Sequence, residues 1–307
     1  MRAEPPETVT LDGHAVKITR PSKVLFPENG IAKRDVVRYY EWICPRMLPY
    51  LQDRPLTLQR FPDGIDGPGF FQKAAAVYYP SWIRRATVPK AGGTVTHVLC
   101  NDVATLVYLA NQAAITLHTW LSRADKLHHP DQMIFDLDPS AQDIPALVEA
   151  AHALKKVLDE LELPAYVKST GSRGLHITVP LDRSLDFDTV RAFARDVAGI
   201  VAARDPAKYT LEQLKSKRDG RIFFDVNRNA YAQTAVAVYS LRPQGRAPVS
   251  VPLHWSELRQ PGFRPDGVVM KTLRKRLETI EDPWKDFWRS AASLDKARRK
   301  LERVHVA

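Results

Sequence analysis

The 307-residue sequence has little cysteine. Its two thiols, Cys44 and Cys100, lie among apolar neighbours, with no CxxC pair and no Cys/His spacing suited to zinc. Neither a disulfide framework nor a structural zinc module is indicated. His128 and His129 are adjacent but have no second ligand pair nearby, and read as a solvated loop. Long apolar runs are also missing. No stretch approaches the roughly 20 residues a membrane span needs, and the opening MRAEPPETVT has no apolar signal core. These absences predict a soluble, cytoplasmic chain with reduced thiols and no membrane partner. Internal repeats and long Pro/Gly/Ser linkers are absent too, as is the GK[ST] ending of a Walker A loop.

What is present is positive charge. Forty-five Lys and Arg against 35 Asp and Glu leave +10, within an otherwise ordinary 44% hydrophobic composition. A basic surface attracts polyanions, and nucleic acid is the commonest of these in a cell.

Hydrophobic periodicity predicts an α+β chain. Residues 8–19 read as a hairpin about an Asp-Gly turn. A helix is expected from Ile31 to Leu51, kinked or split at Pro45. Short strands separated by turns follow over 53–80, then a strand at 94–99. Asn101 is the expected N-cap of a helix reaching Leu117. Strand MIFDLD, helix 142–162, strand AYVKS, a glycine turn, strand LHITVPL and helix 186–203 come next. A basic loop leads to strands RIFFDV and QTAVAVYS, and 266–303 read as mostly helical. The expected organisation is one domain with a smaller N-terminal lobe (1–125), a catalytic lobe (126–265) and a helical C-terminal segment (266–307).

Three aspartates suggest chemistry. Side chains alternate along a strand, so Asp136 and Asp138 of MIFDLDPS share one face, about 6.5–7 Å apart. Two carboxylates so placed repel unless a cation lies between them, and a divalent metal pair about 3.5–4 Å apart meets that need. Asp186-Phe187-Asp188 has the same spelling but precedes an amphipathic helix, where aspartate suits the N-cap and first turn. Asp225 ends another apolar strand and is either a third ligand or a strand-end turn residue. Between them lies Ser169-Thr170-Gly171-Ser172-Arg173-Gly174-Leu175-His176. It is a turn whose backbone N–H groups and hydroxyls can face an anion, or simply a tight hairpin turn. Alternation puts His176 on the polar face of its strand.

Together FDLDP, the serine-glycine turn ending in LH, an aspartate-terminated strand and TAVAVYSLR form a recognisable set. With PSKVLFP, RPLTLQRFPDG and GFFQK upstream, it resembles the polymerase domain of bacterial non-homologous end-joining ligase D, in the archaeo-eukaryotic primase superfamily. The resemblance covers roughly residues 15–260 and implies a primase-like core of mixed and antiparallel sheets flanked by helices. It implies that Asp136, Asp138 and Asp225 hold two divalent cations, Mn²⁺ or Mg²⁺, and catalyse nucleotidyl transfer from NTPs or dNTPs, ribonucleotides preferred. Ser169, Ser172, His176 and Arg242 would contact the triphosphate. Lys215, Arg218 and Arg221 would lie near nucleotide or template. Phe70, Phe71 and His118 would border the base, and Lys23 and Lys33 would bind a DNA 5′-phosphate.

The implied partners are gapped, nicked or broken DNA, Ku, and a ligase or nuclease module in the same or another chain. The sequence holds no ligase nucleotidyl-lysine motif and no nuclease module, so it is expected to be either a stand-alone polymerase or a domain of a larger ligase. Residues 226–233, VNRNAYAQ, depart from the family's glycine-containing turn, and Arg173 stands where some relatives carry lysine. A primase that starts chains unaided would share the same carboxylates. A non-catalytic end-binding module would explain the charge and aromatics but not three strand-borne aspartates.

Overall fold

The computed structural model describes residues 4–139 and 143–306, with side chains to Leu301. Residues 1–3 of the predicted tail, Ser140 of the MIFDLDPS motif and Gln142, the predicted start of a helix, lie outside the described residues. The chain is α+β, as the periodicity predicts, and divides into two compact units. The first comprises Met1–Asp125, Thr234–Ser250 and Val269–Arg274; the second comprises Lys126–Gln233, Val251–Val268 and Lys275–Ala307. Thr234–Val236 joins the first unit because it pairs antiparallel with Ala114–Trp120.

In the first unit, Glu7–Leu11 and His14–Ile18 form the predicted hairpin, with Asp12 and Gly13 both at positive φ in the turn. The helix Lys33–Leu51 runs unbroken through Pro45 and Pro49. Both prolines sit one turn apart on the exposed side, where water can satisfy the carbonyls they leave unpaired. The opposite face buries Val36, Tyr40, Ile43, Met47 and Leu51. A four-stranded antiparallel sheet runs in the order Thr234–Val236, Ala114–Trp120, Leu56–Arg60, Phe70–Gln72. A second hairpin, Arg85–Lys90 with Gly93–Val98, stands apart from it in the pairing.

Two expectations fail here. Asp102, not Asn101, caps the helix Val103–Asn111, accepting from the Thr105 N–H. The Asn101 amide is taken instead by Asp53, to which it donates at 2.6 Å. That helix also stops well short of Leu117. Ala113 turns into the left-handed region (φ 56°), and Ala114–Trp120, rich in β-branched and aromatic residues, continues as a strand.

The second unit is built on a six-stranded sheet. Its order is Tyr209–Thr210, Ile222–Asp225, Gln132–Asp138, Leu175–Pro180, Tyr166–Ser169, Pro252–Leu253. All neighbours are antiparallel except the first pair. Helices Ile144–Glu160 and Phe187–Arg204 pack on the central strand. Met133, Phe135 and Leu137 pair in register with Val179, Ile177 and Leu175, and all six are fully buried. At roughly 1.5–3 kcal/mol for each large side chain removed from water, this row is a main source of the unit's stability. Asp186 caps its helix by accepting from the Thr189 N–H, the structural role its position predicts.

The C-terminal stretch is less helical than expected. Met270–Thr279 and Asp295–Val306 are helices, but Pro283 and a buried pair, Trp284 stacked on Phe287 at 4.5 Å, organise an irregular segment between them. The predicted QTAVAVYS strand shortens to Thr234–Val236.

Gly199 lies inside the helix Phe187–Arg204, and a Cβ built on it meets nothing within 4 Å. Gly199→Ala is therefore expected to stabilise the protein by about 0.5–1 kcal/mol through lost unfolded-state freedom. A thermal melt should rise by ~1–4 °C. A fall would show that the site needs glycine.

Candidate functional site

Strand register assembles the carboxylate site. Asp136 pairs with Asp225 on one side and His176 on the other, and His176 pairs with Lys168. Directly paired residues of antiparallel strands point to the same face, so Asp225, Asp136, His176 and Lys168 form one transverse row. Asp138, two residues beyond Asp136, shares that face. The helices cover the other face, where the apolar residues point.

The carboxylates are already engaged. Asp136 takes Arg228 Nε at 3.3 Å on Oδ2 and faces His176 Nε2 at 3.4 Å through Oδ1. Asp138 Oδ2 takes Arg218 Nη1 at 3.2 Å, and Asp225 Oδ1 accepts from the Asn227 N–H at 2.8 Å. Burial opposes the charge on Asp136. The nearby His176 and Arg228 outweigh it and hold the carboxyl down at about 2. Burial lowers the His176 pKa to about 4, with the Lys168 charge adding to the effect and Asp136 opposing it. The ring is therefore neutral at pH 7, and its contact with Asp136 is a long hydrogen bond rather than an ion pair. Its Nδ1 is buried without a hydrogen-bond partner.

The two arginines differ. Arg218 is buried and fixed: it donates to the carbonyls of Glu212 and Gln213 at 3.0 and 2.9 Å and lies 4.0 Å from the Phe223 ring centre. The Arg228 side chain is 41% exposed. Its short 3-10 turn, Asn227–Asn229, is fastened by Asn229, whose side chain bonds Ile134 at both N–H and carbonyl. This is how VNRNAYAQ holds its place without a glycine turn.

The serine-glycine turn is closed by its own threonine. Thr170 Oγ1 donates to the Gly174 carbonyl at 3.0 Å and accepts from the N–H groups of Ser172 and Gly174 at 3.3 Å. Gly171 sits at φ 67°. Ser169 pairs with Leu175, one residue past the row, and its Oγ accepts from the Val251 N–H. Lys168, rather than Ser169, therefore takes the position beside His176. Nothing in the motif singles out Lys168; its place depends on the register of its strand against LHITV. Lys215 is exposed on the basic loop, whereas Arg221 folds back to donate to the carbonyls of Arg218 and Lys217.

The remaining predicted residues belong to the first unit. Phe70 and Phe71 are 46% and 61% exposed, so neither is a core residue. The Phe71 ring meets His118 edge-on at 5.7 Å. Arg242 follows a turn at Val238–Tyr239 after the strand Thr234–Val236, its N–H donating to Pro248 O. Lys23 pairs with the exposed Asp63 at 2.6 Å. Lys33 is buried, donating to the Thr19 carbonyl at 2.6 Å. Burial, with the charges of Arg20, Lys23 and Arg60, lowers its pKa to about 8.

As a donor set, three carboxylates on one face supply the hard oxygens that Mg²⁺ and Mn²⁺ prefer. Among the described residues, no three acidic, histidine or cysteine side chains converge on one point as placed. Asp136 and Asp138 turn to arginines instead and Asp225 to the Asn227 N–H, and the two ion pairs are themselves a sign that the face calls for cations. No helix among the described residues is long and apolar enough to cross a membrane.

Comparison with known proteins gives a consistent result. The family model described as "LigD, primase-polymerase domain" matches residues 32–284. The multifunctional non-homologous end joining protein LigD of Mycolicibacterium smegmatis is 34% identical over 81% of this chain and 33% of its own length. The bifunctional non-homologous end joining protein LigD of Bacillus subtilis is 29% identical over 90% of this chain and 44% of its own. The chain thus spans a third to under half of these curated relatives. Among solved structures, the polymerase domain of Mycobacterium tuberculosis ligase D in complex with DNA superposes with TM-score 0.84 and 31% identity, covering 90% of this chain and 99% of that one.

Proposed function

The chain belongs to the LigD primase-polymerase domain family, and from that premise we propose that it is a DNA-repair polymerase adding nucleotides to a primer 3′-hydroxyl at gaps and broken ends. The observation that carries this reading is the row Asp225–Asp136–His176, with Asp138 on the same face. Two divalent cations, Mn²⁺ or Mg²⁺, would supply Lewis acidity for deprotonating the 3′-hydroxyl and stabilising the departing pyrophosphate. Asp136 and Asp138 would hold both and Asp225 one of them, with Arg228 leaving Asp136.

Ser172, His176, Lys215, Arg221 and Arg242 would neutralise the triphosphate, with Ser169 supporting the turn. Phe70 or Phe71, beside His118, would stack on a base without regard to sequence, which suits an enzyme acting on any broken end. Lys23 and Lys33 would grip a downstream 5′-phosphate as point charges. Ribonucleotides are the preferred substrate in this reading, and Ku with a ligase or nuclease module the partners. The test is extension of a labelled primer across a short gap with Mn²⁺ and NTPs or dNTPs, with and without the downstream 5′-phosphate. Absence of any extension, with DNA binding intact, would leave an end-binding module.

The 5′-phosphate grip carries its own pH dependence. The charged form of Lys33 binds phosphate, and it is lost as pH rises through about 8. The advantage of a 5′-phosphorylated gap over an unphosphorylated one should shrink from pH 7 to 9. Lys33→Gln should remove both the advantage and its slope. Equilibrium binding of the two DNAs across this range measures it. A parent protein with no slope would take Lys33 out of the phosphate site.

A further inference from the structure

Among the described residues, one exposed aromatic side chain remains without a role in that scheme. Tyr78 is 64% exposed, yet it is held in place. Its hydroxyl accepts from Arg60 Nη1 at 3.3 Å and donates to Gln112 Oε1 at 3.4 Å. Its ring meets the buried Tyr79 edge-on at 5.2 Å. Arg60 is itself fixed, donating to the Gln112 carbonyl at 2.8 Å and to Gln72 Oε1 at 2.7 Å. The same guanidinium carbon lies 5.4 Å from the centre of the Phe70 ring. One arginine therefore ties Tyr78 to the strand that carries Phe70 and Phe71.

A solvent-exposed ring usually loses rotamer freedom when it binds; one already tied at its hydroxyl and buttressed at its edge loses little. The neighbourhood is cationic as well as aromatic. Arg60 is close enough for its charge to act on Lys33, as do Arg20 and Lys23. Rings beside guanidinium and ammonium groups suit a ligand with flat faces and a phosphate backbone. An apolar protein segment would gain nothing from the cations.

We propose that Tyr78, positioned by Arg60, is a further stacking ring that takes an unpaired base of single-stranded DNA next to the one met by Phe70 or Phe71. The proposal rests on the polymerase reading and deepens it, naming an unpaired overhang as the strand this surface holds.

Fluorescence titration of a duplex with a 3′ overhang containing 2-aminopurine, beside a blunt duplex of equal length, tests it. The parent protein should bind the overhang more tightly and quench the probe. Tyr78→Ala should raise the overhang Kd roughly 5- to 150-fold, the range for loss of one stacked base, and leave the blunt duplex unchanged. Tyr78→Phe keeps the ring but not its tether, and should fall between parent and alanine variant with quenching retained. An unchanged overhang Kd in Tyr78→Ala, or an equal loss on both DNAs, overturns the role of this ring. If the parent protein extends a gapped primer in that case, the polymerase reading stands. A parent protein that does not distinguish overhang from blunt DNA overturns the overhang surface, whatever its extension activity.

Discussion

Asp136→Ala is expected to lower nucleotide addition by at least ~10³-fold, the loss of several kcal/mol of charge stabilisation at the transferring phosphoryl group. DNA binding should remain largely intact. The reason lies in the row of paired strands. Asp136 is the one carboxylate with Asp225 and His176 as direct neighbours on either side, so in the proposed site it is shared by both cations. Its removal should not unfold the protein. The partner it frees, Arg228, already reaches solvent, and His176 is neutral at pH 7. No buried charge is therefore left unpaired. Asp136→Asn is the sharper variant, because it keeps the shape and removes the charge. Single-turnover extension beside a DNA-binding measurement separates the roles. Extension by the asparagine variant within roughly tenfold of the parent, worth only about 1.4 kcal/mol, would remove Asp136 from the chemistry.

The second large effect should come from a residue with no side chain. A Cβ built on Gly174 lies 2.4 Å from the Leu137 carbonyl oxygen. The obstacle is backbone, so no rotamer change relieves it. It belongs to the carboxylate strand, between Asp136 and Asp138. Gly174→Ala must push two central strands apart, an overpacking that typically costs about 1–3 kcal/mol. The catalytic loss should exceed the stability loss, since a displacement of about 1 Å can reduce rate by ~10²-fold. Denaturant unfolding and primer extension on the same variant check both. A variant with parent-like extension would show that Gly174 is not needed for the close approach of these strands.

Some of this was legible in the sequence. Alternation along MIFDLD placed Asp136 and Asp138 on one face, and the apolar run before them marked a central strand. The family resemblance supplied the primase-like α+β architecture, which the superposition on a ligase D polymerase domain supports. What periodicity could not supply was pairing between distant segments. That Asp225 lies across from Asp136, and Lys168 from His176, depends on sheet order rather than on any local pattern. The buried Arg218 was hidden for a similar reason. In sequence it is one cation of a basic loop; in the fold, carbonyls and the Phe223 ring hold it inward against Asp138. The misplaced helix cap at Asn101 came from neighbours of equal merit, since Asn and Asp cap about equally well and a distant Asp53 decided between them. The left-handed Ala113 that ends the helix carries no signal of its own.

The transverse row also sets which changes of chain length the protein can survive. A residue gained or lost in the basic loop between Thr210 and Ile222 displaces Arg218 from Asp138 but leaves the alternation of the strand that follows intact. A residue deleted within Ile222–Asp225 does something different in kind. It reverses the alternation, turns Asp225 toward the helix-covered side and brings Phe224 to the carboxylate face. Natural variants of this chain should therefore carry their insertions and deletions outside that strand and preserve its parity.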